Sequence, residues 1–82
     1  MSEPRELRPR LTKVFQEVFD DDALQITDTT SADDIDAWDS LRHITLVLAV
    51  EREFSIRISA AEAGLLANVG ELCKLIVARG GK

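Results

Sequence analysis

Residues 40–54, "SLRHITLVLAVEREF", constrain this chain more than any other stretch. At helical spacing Leu41, Ile44, Leu48 and Glu51 lie along one face, and Leu46, Val47, Val50 and Phe54 lie along another. Neither Gly nor Pro interrupts the segment. A helix that is apolar most of the way round needs neighbours on several sides, so it belongs at the centre of a helical bundle.

The flanking sequence supplies those neighbours. In residues 6–19, Leu7, Leu11, Val14, Phe15, Val18 and Phe19 form an apolar stripe at helical spacing. Pro9 suits a first turn better than a helix interior, which places the start of the regular helix near it. Residues 20–39 are rich in Asp, Thr and Ser, which favour turns and caps over helix interiors. They read as a long loop pinned by Leu24, Ile26, Ile35 and Trp38, with a short turn after Ser31. After the connector "SIRIS", Ser59 with Glu62 fits a capping box and opens a short helix that Gly64 weakens. Asn68 with Glu71 fits the same cap chemistry, and Gly80 and Gly81 end the last helix. That helix turns Val69, Leu72, Cys73, Ile76 and Val77 inward. The expectation is all-α: a small four-helix bundle with a long first loop and a short third helix. The 82 residues form a single domain, with helices over about 6–19, 40–54, 60–66 and 69–79.

Charge and composition narrow the function. Residues 14–41 carry nine acidic side chains and no Lys or Arg, within a net charge of -5. That acidic middle argues against nucleic acid or an anionic membrane as partner and suits basic protein surfaces. A single cysteine, Cys73, cannot form an internal disulfide and reads as a small buried hydrophobe in a reducing compartment. No stretch reads as a signal peptide, and no apolar run approaches the roughly 18 residues of a membrane span. The expected setting is the cytoplasm. Aromatics make up only 5% of the residues, so the core must be aliphatic.

The chemistry concentrates at "WDSLRH", residues 38–43. Asp39 is a good N-cap, and Ser40 then takes the first helical position, where unpaired amides and the helix dipole favour negative charge. A phosphate ester on Ser40 would sit in that field. A Ser40–His43 pair with Asp39 or Asp36 superficially has the parts of a hydrolase. Nucleophilic catalysis also needs an oriented base, an oxyanion hole and a water-excluding pocket, for which so small a bundle has no obvious source. Asp36, Asp39 and His43 show no ligand spacing of known strength, so no metal site is expected.

"D-S-L" at residues 39–41 opens the central helix, after a long acidic loop and before "EREFSIRIS". Joined to "L-x-x-x-x-L-V-x-A-V-E-x-E-F-x-I-x-I", it resembles the acyl carrier protein family from about Leu7 to Ile76. The resemblance implies that Ser40, with Asp39 and Leu41 completing the motif, carries a covalent 4'-phosphopantetheine arm. A separate phosphopantetheinyl transferase adds the arm from coenzyme A, and its thiol then carries acyl or aminoacyl groups as thioesters. The chain would be a carrier, with no catalytic residue of its own. It would visit the transferase, acyl-loading enzymes and synthases, as a monomer by default.

In family members the positions of Leu41, Ile44 and Leu48 lie beside the arm and contact partners; Arg42, His43 and Glu51 are further docking candidates here. Core packing competes for Leu48. Leu46, Val50, Phe54, Ile58, Leu72 and Ile76 are candidates to line a cavity for an acyl chain, though any small core contains such residues. Carriers of the fatty-acid pathway typically place acidic residues shortly after the serine, where this chain has Arg42, His43 and Thr45, with Arg52 following. Trp38 before D-S-L is also more typical of specialised carriers. These departures point to a dedicated carrier for a modified lipid, polyketide or peptide product. The alternative is a docking subunit that keeps the fold and is never modified.

Overall fold

Side-chain caps set where the second, third and fourth helices begin. The computed structural model describes residues 5–81 and holds four helices: α1 (Leu7–Val18), α2 (Ser40–Phe54), α3 (Ala60–Gly64) and α4 (Val69–Ala78). Helix α1 starts two residues ahead of the expected position at Pro9. Its first i→i−4 bond runs from Arg10 N to Glu6 O at 3.1 Å, one residue past Pro9. The missing proline N–H therefore falls among the first-turn amides that have no intrahelical partner in any case.

Helix α3 carries both bonds of its capping box, Glu62 N to Ser59 Oγ at 3.1 Å and Ser59 N to Glu62 Oε1 at 3.0 Å. It stops at Gly64, short of the expected residue 66. There the amides of Leu65 and Leu66 bond back three residues, to Glu62 O and Ala63 O, and tighten the turn. Helix α4 is capped by Asn68, which accepts from Glu71 N at 3.0 Å. It ends in the paired bonds of a Schellman motif, Gly80 N to Val77 O and Gly81 N to Ile76 O, with Gly80 at φ 69°.

The loop between α1 and α2 is held by buried Ile26, Ile35 and Trp38, with Leu24 half-buried. Its turn after Ser31 closes through Asp34 N to Ser31 O at 2.9 Å and Ser31 N to Asp34 Oδ2 at 3.0 Å. It also serves α4: Thr30 O and Asp28 O accept from Val69 N and Gly70 N, each at 2.9 Å. A Cβ at position 70 would stand 3.0 Å from Asp28 O, so glycine permits this close approach. Buried Thr30, whose Oγ1 accepts from Thr27 N at 2.8 Å, is a polar anchor that the hydrophobic pattern does not flag.

The core joins Leu7, Leu11, Val14 and Phe15 of α1 to Leu46, Val47, Val50 and Phe54 of α2 and to Val69, Leu72, Cys73 and Ile76 of α4. Leu46, Val50, Phe54, Ile58, Leu72 and Ile76, the candidates to line an acyl-chain cavity, all belong to this core, and none is more than 8% exposed. Among the described residues no helix is long and apolar enough to cross a membrane.

Candidate functional site: the amino end of the central helix

The site is built from Asp39 outward. Asp39 is extended (φ −105°, ψ −173°), and its Oδ1 accepts from Arg42 N at 2.9 Å while its carbonyl accepts from His43 N at 2.9 Å. Ser40 is thereby fixed as the first residue of α2, and it is exposed. The amides of Ser40 and Leu41 precede the first intrahelical bond, so positive potential gathers where the serine hydroxyl sits. An anion attached to that oxygen meets a favourable field.

Three neighbours make this helix end rigid. Trp38, two residues before the serine, is buried edge-to-face on Phe15, with ring centroids 5.4 Å apart, and lies 5.9 Å from Phe19. Arg42 Nη1 donates to the carbonyl of Val18 at the carboxyl end of α1, where a cation complements the helix dipole. His43 is held on both nitrogens. Its Nδ1 accepts from Trp38 Nε1 at 3.0 Å, and its Nε2 stands 2.9 Å from Ala63 O in α3. An indole N–H can only donate, so the neutral ring carries its proton on Nε2 and donates it to Ala63 O.

The docking candidates differ in exposure and in internal bonding. Ile44 and Leu48 stand out from α2 at 59% and 54% exposure, beside Leu41 at 72%, and Leu48 is therefore not a core residue. Arg42, His43 and Glu51 instead have internal bonds. Glu51 is half-buried and its Oε2 accepts from Ile58 N at 2.7 Å, bracing the turn after α2. Residue type and spacing expose the apolar stripe, but these polar bonds depend on elements distant in sequence. Leu65, 80% exposed at the end of α3, is a further surface apolar residue that sequence reasoning left aside.

A shallow groove of about 500 Å³ opens beside the serine, lined by Ala32, Trp38, Asp39, Ser40, His43 and Ile44. Among the described residues no group of three His, Cys, Asp or Glu side chains could hold a metal ion. An exposed primary hydroxyl, a helix start that favours an anion and adjoining free space fit a covalently attached phosphodiester.

Comparison with known proteins points the same way. A family profile described as "Phosphopantetheine attachment site" matches residues 9–76. The chain is also similar to a solution NMR structure of a holo acyl carrier protein from Geobacter metallireducens. The TM-score is 0.83 at 42% identity, over 90% of this chain and 85% of that one. The chain therefore belongs to the acyl carrier protein family of phosphopantetheine-attachment domains, and its cofactor is covalently attached 4'-phosphopantetheine.

Proposed function

We propose that Ser40 is the attachment point and that the chain carries acyl or aminoacyl groups between biosynthetic enzymes. The observation that carries this reading is the exposed serine at the first position of α2, within D-S-L. When attached, the cofactor supplies a terminal thiol on which cargo is held as a thioester. The protein's own residues catalyse no reaction. On a phosphopantetheinyl transferase, whose base takes the serine proton, Ser40 Oγ would bond to the phosphorus that bears the arm in coenzyme A as the diphosphate P–O bond breaks and adenosine 3',5'-bisphosphate leaves. Asp39 caps the helix so that the first-turn amides face the resulting anion. Arg42 and His43 hold that helix start against α1 and α3, so the tether point stays fixed as enzymes exchange around it.

Leu41, Ile44 and Leu48 form the apolar side on which loading and synthase enzymes dock. That face carries no acidic side chain in its first turns, where Arg42, His43 and Thr45 follow Leu41. This composition supports a dedicated carrier in a pathway to a modified lipid, polyketide or peptide rather than the housekeeping fatty-acid cycle. A cytoplasmic monomer suits a carrier that visits several enzymes in turn.

Intact-mass analysis after incubation with coenzyme A and a broad-specificity transferase tests the assignment. One phosphopantetheine is added to the parent and none to Ser40→Ala. Failure of the parent under conditions that modify a control carrier would favour an unmodified docking subunit.

A further inference from the structure

We propose that His43 is a pH-sensitive latch on the segment that leads into Ser40. Its bond to the Trp38 indole holds while the imidazole is neutral, and a proton on Nδ1 opens it. The latch stands on the geometry of the unmodified chain and not on what Ser40 carries.

The bond tolerates a single protonation state. Trp38 Nε1 can only donate, so Nδ1 must accept, and the remaining ring proton sits on Nε2 toward Ala63 O. A second proton makes Nδ1 a donor as well, and two N–H groups then face each other. The other nitrogen behaves differently. Nε2–H donates to Ala63 O in the neutral ring and in the cation alike, and in the cation that bond gains a charge. Protonation therefore opens one side of the bridge and keeps the other: the tie to α3 persists while the tie to the loop is lost.

The surroundings supply no substitute acceptor. Trp38 is buried, so its N–H, deprived of the imidazole, stays unsatisfied unless the loop moves. Helix α1 meets the indole through the rings of Phe15 and Phe19, which carry no lone pair. The charged groups nearby are engaged elsewhere. Asp39 Oδ1 in the loop accepts from Arg42 N, and the Arg42 guanidinium reaches Val18 O on α1. Glu62 of α3 is shared between Arg79 and the Ser59 amide. Among the described residues no carboxylate is bonded to the imidazole. The ring is half-buried and lines the open groove beside Ser40, so a proton reaches it without unfolding.

The latched form holds one proton fewer than the released form, so the bond is complete where the ring is neutral and is lost as pH falls. Histidine is the side chain that ordinarily changes charge between about pH 5 and 8. Trp38 lies two residues ahead of Ser40, and its release loosens the backbone that enters α2 while Asp39 still caps the helix. Acid thus makes the serine's mounting softer without dismantling the fold.

The chain has one histidine and one tryptophan, so both partners are individually observable. The test follows the full-length, isotopically labelled, unmodified protein by NMR from about pH 8 to about pH 5. The Trp38 indole N–H resonance and the His43 ring resonances are expected to move together with one midpoint. Protection of the indole proton against exchange, corrected for its intrinsic pH dependence, falls several-fold, while the Ala63 amide, bonded to Ser59 O, keeps its protection. His43→Asn is the control: its side-chain oxygen lies near the place of Nδ1, accepts from the indole and does not titrate. In that variant the indole resonance stays fixed over the same range. An indole resonance in the parent that ignores the imidazole midpoint would overturn the latch. So would an equal pH response in His43→Asn, or loss of protection in α3 together with the loop. Should the variant fail to fold, the parent's titration decides by itself.

Discussion

The indole of Trp38 donates to Nδ1 of His43 across 3.0 Å, so a residue of the long loop is bonded to the second turn of the helix that the loop leads into. The same imidazole reaches Ala63 O at 2.9 Å, and one ring thereby joins the loop, α2 and the end of α3. His43→Ala removes both bonds and leaves the Trp38 N–H, in a residue 8% exposed, without its acceptor. A buried donor that loses its partner costs about 1–3 kcal/mol. The urea midpoint of His43→Ala is therefore expected to fall, with Trp38 emission shifting to the red. A midpoint equal to the parent's would mean that the bridge contributes nothing.

The bridge also fixes a tautomer. Nδ1 must keep its lone pair to accept from the indole, so the neutral ring bears its proton on Nε2. Imidazole nitrogen shifts measured where the ring is neutral should report that tautomer, with coupling to the proton at Nε2. The opposite tautomer would place two N–H groups against each other and would disprove the Trp38 bond.

The parts of this fold that could be read from sequence are those set by short-range chemistry. Asp39, Ser59 and Asn68 cap the helices that follow them because each needs only an amide two or three residues away. The apolar stripes of residues 7–19 and 69–77 face the core because 3.6 residues make a turn whatever lies elsewhere. Ser40 belongs to this legible set, since D-S-L and the start of a helix coincide. The bonds of Arg42 to Val18, His43 to Ala63 and Glu51 to Ile58 do not. They depend on how α1, α3 and the connector return to α2, and spacing along α2 cannot distinguish such a side chain from one that faces solvent. Leu46 and Phe54 illustrate a third case. Their burial was readable, but whether they enclose space or fill it is decided by packing in three dimensions.

Ser55 ends α2 in the left-handed region, at φ 55° and ψ 46°, with Ile56 N bonded to Glu51 O at 3.1 Å. That conformation is costly for a residue with a Cβ and nearly free for glycine. Ser55→Gly is expected to raise stability by about 0.5–1 kcal/mol, from relief of the Cβ contact less the entropy glycine adds to the unfolded chain. A higher urea midpoint with an unchanged slope would agree with this. A lower midpoint would show that the serine side chain stabilises the turn by more than its backbone costs.

Phe54 and Ser40 stand at opposite ends of α2, and their substitutions separate the frame from the tether. Phe54 is 1% exposed, and the guanidinium of Arg10 lies over its ring, 4.5 Å from the centroid. Phe54→Ala empties a large site in a small core and also removes that cation–π contact, so a loss of about 3–5 kcal/mol is expected. In a domain whose whole stability is of order 5–15 kcal/mol, that brings the folded state close to its limit. Ser40→Ala changes one exposed side chain whose helix start is held by Asp39, and stability should move by no more than about 0.5 kcal/mol. Calorimetry of the two variants beside the parent gives the comparison directly. A Phe54→Ala melting point near the parent's would remove α2 from the centre of the bundle, whereas a large drop in Ser40→Ala would make the serine a structural residue rather than a presented hydroxyl.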